Sequence, residues 1–377
     1  MSRLRPGAIS GGTGWRALAA RQIWVYENPA PRLGARNHPT EGQMTIVRAA
    51  AVLIAAMILP TAIAAAQEAA EKPPAAPSKL GVFVLGGPSK GTYQLVEAGL
   101  PMMRTNKGQL KPGKFFQHYY EHCPQGIAIL GMVRPGYKQD KDDPIECAQK
   151  HWDEDIKPVL SALTDEQRKW IDYVECGPNM WGFEKLERVH WMARYWGHLG
   201  QLIHDAGFRP VVATIGVGSP GGNAQEIEEK VRAYIPLLRK AKEWNAAWAY
   251  HAYTIKYTTD PEIESWYSLR YRRMYKVFRE EAPDLMDFPL LLSEAGCDEV
   301  GDPKKSGWAA RGTAEDYQRW LTWFDNEIKR DPYVVGCCLF QIGSTGWKSF
   351  DLEPMVPWLV EHLRQSGKPP APRSVRP

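Results

Sequence analysis

Eight short apolar stretches, each followed by a segment of helical period, constrain this chain more than anything else in it. They are Leu80–Leu85, Met102–Thr105, Ile127–Met132, Ile171–Glu175, Pro210–Ile215, Ala246–Tyr253, Pro289–Glu294 and Val334–Gln341. Each is bounded by Gly, Pro or polar residues, as buried strands are. A run such as Pro289-Leu290-Leu291-Leu292 suits a strand covered on both faces, the situation in a parallel sheet. Between the strands, Leu186, Val189, Ala193, Trp196 and Ile203 share one helical face, as do Ile227, Val231, Ile235 and Leu238. Pro236 is expected to kink or shorten the second of these helices. Strict alternation of strand and helix predicts an α/β fold. Eight units over about 290 residues suit a single-domain (β/α)8 TIM barrel, with an open doubly wound sheet as the alternative.

The ends of the chain read differently. Residues 1–43 are rich in Arg, Gly and Pro and have no periodicity, so they are taken as a leader outside the fold. Residues 44–66 resemble a secretory signal: Arg48, the apolar run Ala49–Ile63, then Ala64-Ala65-Ala66 as a small-residue cleavage site. This predicts a secreted or periplasmic protein with no stable membrane insertion after cleavage. Residues 67–78 form an Ala/Pro linker, 79–366 the barrel and 367–377 a Pro-rich, basic tail.

Removing the leader changes the charge argument. The formal net charge is +4, but residues 1–66 carry seven Arg against two Glu, leaving 40 basic and 41 acidic side chains. No basic stripe for nucleic acid remains. Six cysteines in an exported protein permit disulfides, and Cys123 with Cys147 is the expected pair because both flank one predicted strand. Cys337 and Cys338 are adjacent in a strand and should point to opposite faces.

In a parallel barrel the carboxyl ends of the strands share one pocket. Those ends carry Arg104, Glu175, His251-Ala252-Tyr253 and Glu294, with Gln341, Trp347 and Phe350 at and beyond strand eight. An ionisable Glu closing the apolar run at Leu292-Ser293-Glu294, ahead of a turn at Gly296, is costly to desolvate unless the group has work to do. Two carboxylates at one mouth suit glycoside hydrolysis, in which one protonates the leaving oxygen and the other attacks the anomeric carbon or activates water. Among 15 Trp and 16 Tyr most rings belong to the core, but a few at the mouth can pack on sugar rings. Asp298 and Glu299 read as loop surface, and as substitutes should the acid not lie on strand four. Gly216-Val217-Gly218-Ser219-Pro220-Gly221 is read as a tight strand-to-helix loop rather than a dinucleotide fingerprint, because no acidic residue closes the next strand. His118 and His122 have i,i+4 spacing without the surrounding zinc motif. No cofactor or metal is implied.

These segments resemble the clan A retaining glycoside hydrolases. Pro289-Leu-Leu-Leu-Ser-Glu294-Ala-Gly296 is similar to the clan's strand-seven pattern, His251-Ala252-Tyr253 to its strand-six His-x-Tyr, and Arg104 to its strand-two Arg. Phe340-Gln341, then Trp347-Lys-Ser-Phe350-Asp351, is similar to the strand-eight segment with its platform Trp. The resemblance implies Glu294 as nucleophile, Glu175 as acid/base, and Arg104, Asn179, Trp181, His251, Tyr253, Gln341 and Trp347 as substrate-binding residues around a carbohydrate. Strand four departs from the pattern, which expects Glu-x-x-Asn-Glu-Pro where this chain has Glu175-Cys-Gly-Pro-Asn179. Either Glu175 is the donor, or it matches the first Glu and Asn179 stands where the donor belongs. The alternatives are then a structural Glu175 paired with an arginine, and a non-catalytic carbohydrate-binding barrel.

Overall fold

The computed structural model describes residues 76–132, 141–176, 183, 185–299 and 305–367. Eight parallel strands form a (β/α)8 TIM barrel: β1 Leu80–Val84, β2 Met102–Asn106, β3 Ile127–Gly131, β4 Tyr173–Glu175, β5 Val211–Ile215, β6 Ala247–Thr254, β7 Leu290–Cys297 and β8 Val334–Ile342. Each is followed by a major helix: α1 Lys90–Glu97, α2 Phe115–His122, α3 Pro144–His151, α4 Leu186–Asp205, α5 Ala224–Glu243, α6 Tyr271–Glu281, α7 Ala314–Lys329 and α8 Val356–Gln365. Hydrogen-bonded pairing runs β4-β3-β2-β1-β8-β7-β6-β5. The β4–β5 seam is closed by one bridge, Val174 to Pro210, with the Val174 amide donating to Arg209 O at 3.0 Å. Pro210 has no N–H to extend that ladder.

Two cores follow from the period-2 alternation of each strand. Phe83, Met102, Ile129, Tyr173, Ala249, Leu291 and Cys338 pack inside the barrel, whereas Val82, Met103, Leu130, Val174, Trp248, Leu292 and Cys337 face the helices. Adjacent Cys337 and Cys338 do point to opposite faces. The interior is tight enough that a Cβ on Gly81 would sit 1.9 Å from Met102 O, so β1 passes there only as glycine. Helix starts follow their caps. Asn223 and Glu226 cap α5 reciprocally, and Thr313 and Asp316 do the same for α7.

Pro236 lies inside α5 and does not shorten it, since the helix runs 20 residues. Two expectations need correction. The turn expected after Glu294 is not made: β7 continues to Cys297, passing Gly296 at φ 153°, a backbone that L side chains avoid. Cys123 and Cys147 are not bridged. All six cysteines are buried thiols, with Cys123 Sγ donating to Val96 O at 3.3 Å and pushed up to about 12 by burial. No described helix is long and apolar enough to cross a membrane.

Candidate active site at the barrel mouth

Arg104, the third residue of β2, organises the mouth. Its side chain is almost wholly buried and lies 4.2 Å above the Phe83 ring. Nε makes an ion-pair contact of 2.5 Å with Glu175 Oε2, and Nη1 donates to Glu294 Oε1 at 2.8 Å. One guanidinium therefore spans β4 and β7. Burial works against the arginine's charge, but the two carboxylates outweigh it and hold Arg104 above its ordinary range. Taking these charges out of water costs several kcal/mol per ion, which only close mutual pairing offsets.

The two carboxylates are in different surroundings. Glu294 keeps 14% of its side chain exposed. Its second oxygen accepts from Tyr253 Oη at 3.1 Å, and His251 Nδ1 lies 3.4 Å away. Burial first, then the nearby Glu294 and Asp298 charges, push the Tyr253 phenol well up, so it stays protonated and able to donate. Glu175 is only 1% exposed. Its Oε1 accepts from Thr214 Oγ1 and Ser293 Oγ, both at 2.9 Å, while Oε2 faces Arg104.

A β-bulge makes this possible. Along β6, Ala249 pairs with Leu291 and His251 with Glu294; along β8, Cys337 pairs with Leu292 and Leu339 with Ala295. Both neighbours thus show one extra residue in β7 at Ser293-Glu294. Consecutive residues of a regular strand face opposite ways, but the bulge turns both towards the barrel axis. Ser293 reaches Glu175 while Glu294 reaches Arg104.

Five of the nine residues singled out in the sequence, Arg104, Glu175, His251, Tyr253 and Glu294, therefore meet in one cluster. Trp347 packs edge-on against Phe340, 5.6 Å between centroids, and is half-buried at the rim. Gln341, expected to touch sugar, does not suit that role. It is fully buried, and its amide is spent on its own loop: Nε2 donates to Ser344 O and Trp347 O, and Oε1 accepts from Ser344 N. It shapes the turn that carries Trp347. Asn179 and Trp181 lie outside the described residues. Glu299 pairs with Arg311, and half-buried Asp298 lies close enough to Tyr253 to act on its phenol. Sequence reasoning missed Thr214. The available signal was a lone hydroxyl inside Val211-Val-Ala-Thr-Ile215, since a buried polar group needs a partner.

No family model matches the chain, and no curated protein matches it. Solved structures do align with it. An endo-β-1,3-glucanase of family GH128 (subgroup II) from Sorangium cellulosum is 14% identical, covers 77% of this chain and 98% of its own, and has a TM-score of 0.45. A glycoside hydrolase family 5 enzyme from Prevotella bryantii B14 is 11% identical over 76% and 95%, with a TM-score of 0.40. A β-glucosidase from Exiguobacterium marinum is 9% identical over 76% and 97%, also at 0.40.

Proposed function

We propose that this chain is an exported glycoside hydrolase that cleaves a poly- or oligosaccharide with retention of configuration, with Glu294 as nucleophile. The observation that supports this best is the setting of Glu294: a partly exposed carboxylate at the strand ends, one oxygen held by Arg104 and the other by Tyr253. In the first step a Glu294 oxygen attacks the anomeric carbon, the bond to the leaving oxygen breaks, and that oxygen departs with a proton from a general acid. In the second, water attacks the same carbon, the glycosyl ester bond breaks, and the carboxylate returns as water gives up a proton to the conjugate base. Arg104 and Tyr253 fix the attacking carboxylate before substrate arrives, which lowers the cost of reaching the attack geometry. Trp347 offers an aromatic face to a sugar ring. Export rests on residues 44–66, which lie outside the described residues.

A carbohydrate-binding barrel without turnover is the second reading, favoured by the burial of Glu175. A panel of activated aryl glycosides separates the two. Under the hydrolase reading, wild type releases aglycone, and Glu294→Gln loses at least about 10³-fold in kcat while still binding the sugar. Sugar binding by wild type with no release from any of the glycosides it binds would establish the binding barrel instead.

A further inference from the structure

We infer that Glu175 is a positioning residue: an ionised anchor that fixes Arg104 against Glu294, and not the group that protonates the leaving oxygen. This deepens the hydrolase reading and rests on it for the meaning of the leaving oxygen; the state of Glu175 itself does not. Three observations carry it. First, the side chain is 1% exposed, against 14% for Glu294. A general acid must come within hydrogen-bond reach of the proton's destination. Second, the Arg104 guanidinium lies 2.5 Å from Oε2, while Thr214 Oγ1 and Ser293 Oγ meet Oε1. A guanidinium has no acceptor, so a protonated Oε2 would turn its hydrogen towards a cation. Third, the backbone is held as firmly as the side chain. The Glu175 carbonyl accepts from the Met132 amide at 2.8 Å, and β3 pairs Gly131 with Glu175. Strand pairing and these side-chain contacts together hold the carboxyl group against Arg104.

Its chemical effect runs through Arg104. Nε on Glu175 sets the rotation of the guanidinium, and the rotation sets where Nη1 meets Glu294. The sharing is also electrostatic. Part of the arginine's charge is answered by Glu175, so Glu294 is held by Arg104 without being wholly neutralised, and an attacking carboxylate must keep its electron density.

Difference infrared spectroscopy of wild type against Glu175→Gln at neutral pH reads the protonation state directly, whether or not the protein turns over sugar. The expected result is loss of a carboxylate stretch with no loss of a protonated-carboxyl C=O band; loss of that C=O band would overturn the inference. Thr214→Val serves the same purpose if the Gln variant does not fold: it should shift a carboxylate band, and a shifted C=O band contradicts the anchor. Kinetics supply the functional arm once wild type is shown to cleave glycosides. Glu175→Gln should lower kcat/KM for dinitrophenyl and alkyl glycosides by a similar factor, about 10–100-fold, as lost support for a reacting group does. The alkaline limb of the pH profile should stay in place, and the acid limb should move to lower pH as Arg104 leans on Glu294 alone. Loss confined to the alkyl glycoside, with the alkaline limb abolished, would make Glu175 the acid while leaving the hydrolase reading intact.

Discussion

Glu175 on β4 and Glu264, ten residues beyond the end of the β6 strand, are both buried glutamates gripped by a pair of hydroxyls. Glu175 takes Thr214 and Ser293; Glu264 takes Thr254 at 2.7 Å and Ser268 at 2.5 Å. The difference is the cation. Arg104 contacts Glu175, whereas among the described residues no basic side chain lies within ion-pairing distance of Glu264. Burial therefore raises Glu264 above the usual carboxylate range, with Ser268 and Thr254 offsetting only part of the effect. Two hydroxyls alone offset only part of what burial does to a carboxylate. The arginine is what makes an anion usable at the mouth, and sharing it between two carboxylates links β4 to β7.

The largest expected effect comes from making the two sites alike. Arg104→Met leaves two carboxylates without their cation and should cost about 3–5 kcal/mol in urea unfolding, with loss of turnover. A smaller cost would mean that Glu175 and Glu294 shed their charge easily and that the ionised anchor is wrong.

Next come the hydroxyls. Thr214→Val removes a donor to an ionised oxygen and should cost about 1.5–3 kcal/mol, and Thr254→Val, beside a carboxyl group that burial raises, should cost less. Equal costs would erase the distinction between the sites.

The smallest effect is on the pH dependence of stability. The folded-state pKa of Glu264 is raised, so its favourable contribution is complete below the unfolded value of about 4.3 and is lost as pH rises through the folded value. Glu264→Gln should flatten the stability profile on that rising side, measured by urea midpoints from pH 4 to 8. An unchanged slope would contradict the raised pKa.

Much of this was legible in the chain, for identifiable reasons. Buried parallel strands announce themselves as apolar runs, so β1 to β8 begin within two residues of where the sequence puts them. Because strand ends converge, Arg104, Glu175, His251, Tyr253 and Glu294 could be gathered from positions far apart. What escaped depends on contacts across the barrel. The alternation of a regular strand puts Ser293 and Glu294 on opposite faces, and only the extra residue in β7 turns both inward. The Glu175 carboxyl group meets Arg104, Thr214 and Ser293, all on other strands and far off in sequence. Gln341 read as a polar group at the mouth, but its own loop claims both ends of its amide. The Cys123–Cys147 pairing failed because flanking one strand in sequence does not bring two thiols together.

The most direct measurement is covalent trapping at the β7 carboxylate. The protein is incubated with 2-deoxy-2-fluoro glycosides bearing a dinitrophenyl leaving group, drawn from the sugars it binds, then digested and analysed by mass spectrometry. The expected result is one glycosyl unit on the peptide containing Glu294 and none on Glu294→Gln. Label on a different carboxylate, or hydrolysis of these sugars by Glu294→Gln at the wild-type rate, would contradict it.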